Sequence, residues 1–289
     1  MTEETREDIT PVKPGIYYDM SAADYFNKDL MPYCHQSELN AFQNCPAMVQ
    51  WDRRHPDASS KAMQNGSLVE GLIEGSLDKK YFVLREKLDR RKTEDKAKWN
   101  EYVKTYGEDN IIKGDEYDAA EAQARAFLAT ETGRALIDNS RKQVVIVWQD
   151  AQSGVMCQGR IDGLWADQKI AYDLKTSLDA SPSSFAVAVW KYKYYRQAQF
   201  YIRGLAAHGI EVTDWVFPVQ RNNEPYYTAF YKLVKESLLA ADVEISRLLR
   251  QWARCEKFNS WPAYPDAIIP LGIPSWAINQ LNQMAVEEA

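Results

Sequence analysis

The sequence predicts an α/β domain in which a mixed central sheet is flanked by helices and joined to a helical N-terminal lobe. Three observations predict it. Segments 143–149, 155–166 and 169–177 follow one another, are rich in β-branched and aromatic residues, and are separated by short polar breaks, the pattern of consecutive strands. A helical stretch at 184–208 comes next, followed by two more strand-like runs (212–220, 226–232) and a long helical stretch at 235–257; such an alternation packs helices on a sheet. Helical spacing of apolar residues dominates the first half of the chain.

Residues 1–14 read as a flexible leader, and residues 15–289 as one domain. Ser37 is placed to cap a helix running to about Arg53, with Leu39, Phe42, Val49 and Trp51 as its apolar contacts. A helix at 61–74 carries Met63, Leu68, Leu72 and Ile73 on a mostly apolar side. Segment 79–98 mixes a short strand (81–85) with a basic stretch. Helices are predicted at 99–105 and 117–138, the second from alanines and leucines at helical spacing. Asp167-Gln168 marks a tight turn that would lay the second and third strands antiparallel. The proline-rich segment 261–274 is irregular, and a last helix covers 275–288. No internal repeat or composition shift divides the chain.

At 289 residues the chain can bury a sizeable core. With 45% hydrophobic and 26% charged residues, wholesale disorder is excluded. No apolar run approaches the length of a membrane span, and the acidic, polar first eight residues are the opposite of a secretory signal. A cytoplasmic protein without a membrane partner is expected. Cys34, Cys45, Cys157 and Cys255 show no C-x-x-C spacing, which argues against a zinc ribbon and for reduced, buried thiols. His35, His55 and His208 are scattered, with no metal-ligand spacing.

The chemistry centres on two acids. Asp162 lies in Gly159-Arg160-Ile161-Asp162-Gly163 and Asp173 in Tyr172-Asp173-Leu174-Lys175-Thr176. A hairpin between them would bring the two carboxylates close together. Side chains alternate along a strand, so Asp173 and Lys175 project to one side and Leu174 to the other. Two acids beside a lysine suit Mg²⁺ next to a phosphate, because Mg²⁺ takes one or two carboxylates plus water and phosphate oxygens.

These residues resemble the PD-(D/E)XK nucleases, whose signature is an acid, a spacer, and then acid-x-Lys. Gln197-Ala198-Gln199-Phe200-Tyr201 is similar to the Q-x-x-x-Y element of RecB-like members. Gln36-Ser37-Glu38-Leu39 with Cys45-Pro46-Ala47 resembles the N-terminal helix of the RecE-type branch, and Gly66-Ser67-Leu68-Val69-Glu70 falls where that branch has Gly-x-x-x-His. The resemblance spans residues 15–274. It implies a restriction-endonuclease-like core and a Mg²⁺-dependent 5′→3′ exodeoxyribonuclease on double-stranded DNA, from phage-type recombination. Mn²⁺ would substitute for Mg²⁺. It further implies a ring-like homo-oligomer and a single-strand annealing protein as partner.

In that reading Asp162 and Asp173 hold the metal with Glu70 and the backbone carbonyl of Leu174. Lys175 orients water and stabilises charge on the phosphorane, while Gln197 and Tyr201 position the strand or the lysine. Glu70 departs from the usual histidine, and Glu74, one turn later on the same helix face, is the alternative ligand. No group of three cysteines near the C-terminus matches the iron–sulfur cluster of some RecB-like relatives, so none is expected. An endonuclease of the same fold and an inactive DNA-binding module remain as rival readings.

The net charge of −6 runs against phosphate binding, which relies on Lys and Arg. Two local stretches offset it. Arg90, Arg91 and Lys92 belong to a basic segment at 85–98, and Lys191, Lys193 and Arg196 are interleaved with aromatics at 190–196, a combination suited to backbone contact and base stacking. Ordinary solvated faces are the competing explanation for both.

Overall fold

The computed structural model describes residues 10–55, 60–77 and 81–287. Its N-terminal part supplies β1 (Gly15–Tyr17), α1 (Ala22–Phe26), β2 (Cys34–His35), α2 (Gln36–Asn44), α3 (Pro46–Arg54) and α4 (Lys61–Glu74). A small parallel pair, β3 (Phe82–Leu84) and β4 (Ile111–Lys113), brackets α5 (Thr93–Tyr106). Next come α6 (Gly114–Leu128), α7 (Glu131–Asn139), β5 (Arg141–Gln149), β6 (Met156–Trp165), β7 (Ile170–Tyr172) and β8 (Lys175–Ser177). The remaining elements are α8 (Pro182–Lys191), α9 (Tyr194–Ala206), β9 (Asp214–Arg221), β10 (Thr228–Lys232), α10 (Lys235–Phe258) and α11 (Ser275–Glu287).

The main sheet runs β1-β5-β6-β7-β9-β10, with β2 added to β6 and β8 added to β9. Strands β5, β6 and β7 are antiparallel, whereas β7 and β8 run parallel to β9. A parallel step needs a crossover connection, here α8 and α9. The expected mixed sheet between helices is what the chain forms.

Alternation along β5 sorts its apolar residues. Val144, Ile146 and Trp148 join Phe200, Leu205, Leu249 and Trp252 beneath α9 and α10. Val145 and Val147 face the other way, toward Tyr25 and Met31. On that second side α4 and α6 add Leu68, Val69, Ile73 and Phe127 around Tyr172. Burial of each such side chain contributes roughly 1.5–3 kcal/mol, so these layers fix the sheet that carries the acids.

Several boundaries differ from the periodicity, each for a local reason. The helix expected at 37–53 is two helices, because Pro46 lacks an N–H and suits the first turn of a new helix; α2 begins at Gln36, one residue before the proposed Ser37 cap. The helix expected at 117–138 breaks at Thr130, whose hydroxyl accepts the Gly133 N–H at 3.1 Å. The stretch 184–208 divides at Lys193, which is left-handed with φ 59°. The third strand is interrupted at Asp173-Leu174. Val12 falls within the expected leader yet is tied down: its N–H donates to the Leu30 carbonyl at 2.9 Å and its own carbonyl accepts the Tyr33 hydroxyl at 2.7 Å. Residues 1–9 lie outside the described residues. All four cysteines are free and buried. Among the described residues no helix is long and apolar enough to cross a membrane.

Candidate active site

The β6–β7 hairpin places the acids. Its turn at Ala166–Gln168 leads into Lys169 in the left-handed region, and the strands pair as Trp165↔Ile170, Leu164↔Ala171 and Gly163↔Tyr172. The next step in that register sets Asp162 opposite Asp173. There the ladder gives way, and the Leu174 N–H donates to Asp162 Oδ2 at 2.7 Å. Gly163 is required by close approach, since a Cβ there would lie 2.0 Å from the Tyr172 ring. At Gly159 a Cβ would lie 2.6 Å from the Tyr201 ring. Both glycines of the motif therefore let an aromatic ring lie on the strand.

Asp173 is buried, 3% exposed, and its partners come from its own strand and from α9. Lys175 Nζ forms an ion pair with Asp173 Oδ2. Gln197 joins the two residues: its Nε2 donates to Asp173 Oδ1 at 2.8 Å, and its Oε1 accepts Lys175 Nζ at 3.2 Å. Tyr201 follows Gln197 by one helical turn and shares its face. Burial works against the charge on Lys175, but the Asp173 carboxylate, Tyr194 and Asp162 outweigh it and hold the ammonium above its ordinary pKa. Lys175 is thus a cation near neutral pH, with Nζ 4.3 Å from the Tyr194 ring centroid.

Helix α4 brings two further acids to the same place. Gln143 Nε2 donates to Glu70 Oε1 at 2.7 Å and to Glu74 Oε1 at 2.9 Å. Burial, with the Glu70 charge second, pushes Glu74 up to about 7. Asp162 is also raised well above the carboxylate range, first by burial and then by Glu70 and Asp173. Glu70, Gln143, Asp162, Asp173, Gln197 and Tyr201 line one cavity of about 640 Å³. Lys175 does not line it; it reaches the site through Asp173 and Gln197.

These residues fit a hard divalent cation. Among the described residues no group of three or more His, Cys, Asp or Glu side chains is gathered as a ready-made cage. Mg²⁺ does not require one, since one or two carboxylates with water and phosphate suffice. The donor set supplies the observation: Glu70, Asp162 and Asp173 line one cavity, and a cation there would offset the burial and neighbouring acids that raise the Asp162 carboxyl. Asp173 Oδ2 has the Lys175 ammonium as its partner. Leu174 is held beside both acids by the hydrogen bond its backbone N–H donates to Asp162.

The basic candidates are placed differently. Arg196 is corrected: it is fully buried, with Nη1 donating to Glu244 at 3.1 Å and to Gln43 at 2.8 Å, and Nη2 donating to Asn40. It ties α9 to α10 and α2 and is closed to DNA. Arg90 is exposed over the Trp99 ring at 4.9 Å, Arg91 pairs with Asp89 at 2.9 Å, and Lys92 immediately precedes α5 as its N-cap residue. Lys191 is exposed, and Lys193 Nζ sits 3.9 Å from the Trp190 ring centroid. None of these lines the cavity of the acids.

Gln143 was not a sequence candidate, nor were Arg160, Gln158, Lys28 and the Arg53–Glu38 pair, which also line the cavity. A glutamine opening an apolar strand gives no signal of its own. Arg160 and Gln158 carry one: they are polar residues alternating with Cys157, Gly159 and Ile161 on a central strand, where polar side chains need a reason to face inward.

A family model described as a PDDEXK-like domain of unknown function (DUF3799) matches residues 36–268. No curated protein matches the sequence. Among solved structures, that of a "Putative exonuclease" from Eubacterium rectale aligns with a TM-score of 0.61 at 14% identity, over 90% of this chain and 98% of that one; the likeness is one of fold. The structure of SSO0001 covers 66% of this chain and 89% of its own at 16% identity, and its TM-score of 0.28 carries no weight.

Proposed function

The chain belongs to the PDDEXK-like domain family, and from that premise we propose that it is a Mg²⁺-dependent exodeoxyribonuclease acting on double-stranded DNA. The observation that carries the reading is Asp173 and Lys175 joined through Gln197, with Asp162 and the Glu70 helix beside them; Glu70, Asp162, Asp173 and Gln197 line one cavity. The name of the Eubacterium rectale protein supports exonuclease rather than endonuclease action.

Asp162 and Asp173 would hold the cation, with Glu70 and the Leu174 carbonyl. The bound ion supplies Lewis-acid polarisation of a phosphate oxygen and a water acidic enough to attack near neutral pH. Lys175 stays protonated, so it acts as a fixed positive charge toward the phosphate and not as a base. Gln197 keeps that ammonium and the Asp173 carboxylate in register, and Tyr201 packs the helix on Gly159. Polarity from 5′ to 3′, a place in phage-type recombination in the cytoplasm, a ring-like homo-oligomer and a single-strand annealing partner extend the proposal, on the strength of the RecE-type resemblance.

Linear and closed circular duplexes incubated with Mg²⁺ or EDTA test it. Loss of linear duplex only, and only with Mg²⁺, is expected. Cutting of the circle would make the protein an endonuclease, and metal-independent binding without hydrolysis would make it an inactive module.

A further inference from the structure

We propose that Gln143 is the positioning residue that sets Glu70 toward the acids of the hairpin, and that its left-handed backbone is what aims it. The inference rests on the nuclease reading above. Gln143 has φ 54°, a conformation that residues other than glycine seldom adopt and that favours Asn, Asp or His when they do. Holding a side-chain-bearing residue there is unfavourable, and such residues gather at functional sites where the surroundings enforce them.

Its place in the sheet explains the consequence. Lys142 pairs with Gly163 and Val144 with Ile161, so Gln143 stands level with Asp162, in the row that continues to Asp173. At this level the alternation of faces slips. Ile161 and Leu164 are three residues apart on one strand, yet both lie in the core beneath α9 and α10. Across the sheet, Lys142 Nζ reaches the Glu74 carbonyl at 3.3 Å. The left-handed residue is therefore where β5 is anchored to the last turn of α4.

The amide completes the argument. One Nε2 group meets both Glu70 and Glu74, and an amide nitrogen has two hydrogens to give. Two carboxyls four residues apart share a helix face and repel when charged. A neutral double donor holds them together without the counter-charge that a lysine would bring, leaving Glu70's charge for a cation. Glycine or asparagine would accept the backbone with less strain. Glycine offers no donor, and the shorter asparagine falls short of the span. The choice of glutamine fits the two acids and not the strand.

Gln143→Asn and Gln143→Gly separate this role from a structural one. Mn²⁺ is titrated into the full chain without DNA, the thermal midpoint is measured in EDTA, and kcat and KM are taken on linear duplex. We expect both variants to keep the parental midpoint while Mn²⁺ affinity falls about 10–100-fold, the usual effect of losing a hydrogen bond that orients a metal ligand, and kcat at limiting metal falls with it. Variants that bind Mn²⁺ as the parent does would overturn the proposal. So would variants whose affinity falls only in step with a lowered midpoint, since Gln143 would then be a structural residue. A parent that neither binds Mn²⁺ nor cleaves DNA would sink the nuclease reading, and this inference with it.

Discussion

Glu74→Gln should stabilise the metal-free protein in alkaline solution and leave it unchanged in acid. The substitution removes a charge and keeps the side chain's size, and its carbonyl oxygen can still accept the Gln143 amide. Burial, then the charge on Glu70, raises the Glu74 carboxyl from an ordinary 4.5 to about 7. A folded pKa above the unfolded one means that the folded state holds the extra proton. No stability is lost below the ordinary value, and it is lost progressively as pH rises toward about 7. At ~1.4 kcal/mol per pH unit the full shift is worth ~3 kcal/mol. Glu74 keeps partial solvent contact, so about 1–3 kcal/mol is the expected range. Guanidinium denaturation of parent and variant in EDTA, at about pH 3.5 and about pH 8.5, brackets the titration of this carboxyl and its coupling to Glu70. The variant should match the parent in acid and exceed it in base. An equal difference at both pH values, or a less stable variant in base, would refute the reasoning. The same protein also decides the ligand: cleavage should survive Glu74→Gln and collapse in Glu70→Gln, and the reverse would move the metal one helical turn.

Asp173→Ala should abolish cleavage with duplex binding retained, since it removes a proposed ligand and the partner of both Lys175 and Gln197; a folded variant keeping more than about a tenth of the parental rate at saturating Mg²⁺ contradicts this. Lys175→Ala should lower the maximal rate about 10²–10³-fold with the Mg²⁺ midpoint unmoved, and a shifted midpoint with an unchanged maximum would remove the lysine from the phosphate. Arg196→Ala should cost about 3 kcal/mol in denaturation, because Glu244 loses its buried partner; a stable variant with a reduced salt slope would reopen the DNA-contact role. Replacing Arg90, Arg91 and Lys92 together by alanine should reduce the slope of log K against log salt by about 0.9 per lost phosphate contact. Equal slopes for the triple variant and the parent would mark that segment as solvated surface.

What the sequence discloses and what it withholds divide along one physical line. The hairpin of Asp162 and Asp173 is legible because its turn and its alternation lie within one short contiguous stretch. Helix α4 reads equally well: Lys61–Glu74 is bounded by Ser60, which accepts the Met63 N–H, and by Gly75 at φ 66°, both local signals. Arg196 is illegible by the same measure. It sits among lysines and tyrosines that look like a nucleic-acid track, and its hydrogen-bond partners lie 48, 153 and 156 residues away. The Asp173-Leu174 break is of the same kind, because β7 and β8 each find β9 across a helical crossover. Gln143 is the sharpest case. Gln-Val-Val-Ile-Val reads as an ordinary strand entrance, and nothing local asks for a left-handed backbone there. The demand comes from two acids on a helix packed against the opposite side of the hairpin. A residue that defies its own local preference to satisfy distant carboxylates is where sequence reasoning should fail if the site is functional. For that reason Gln143, and not the better-advertised basic stretches, is the residue on which the reading of this site can be broken.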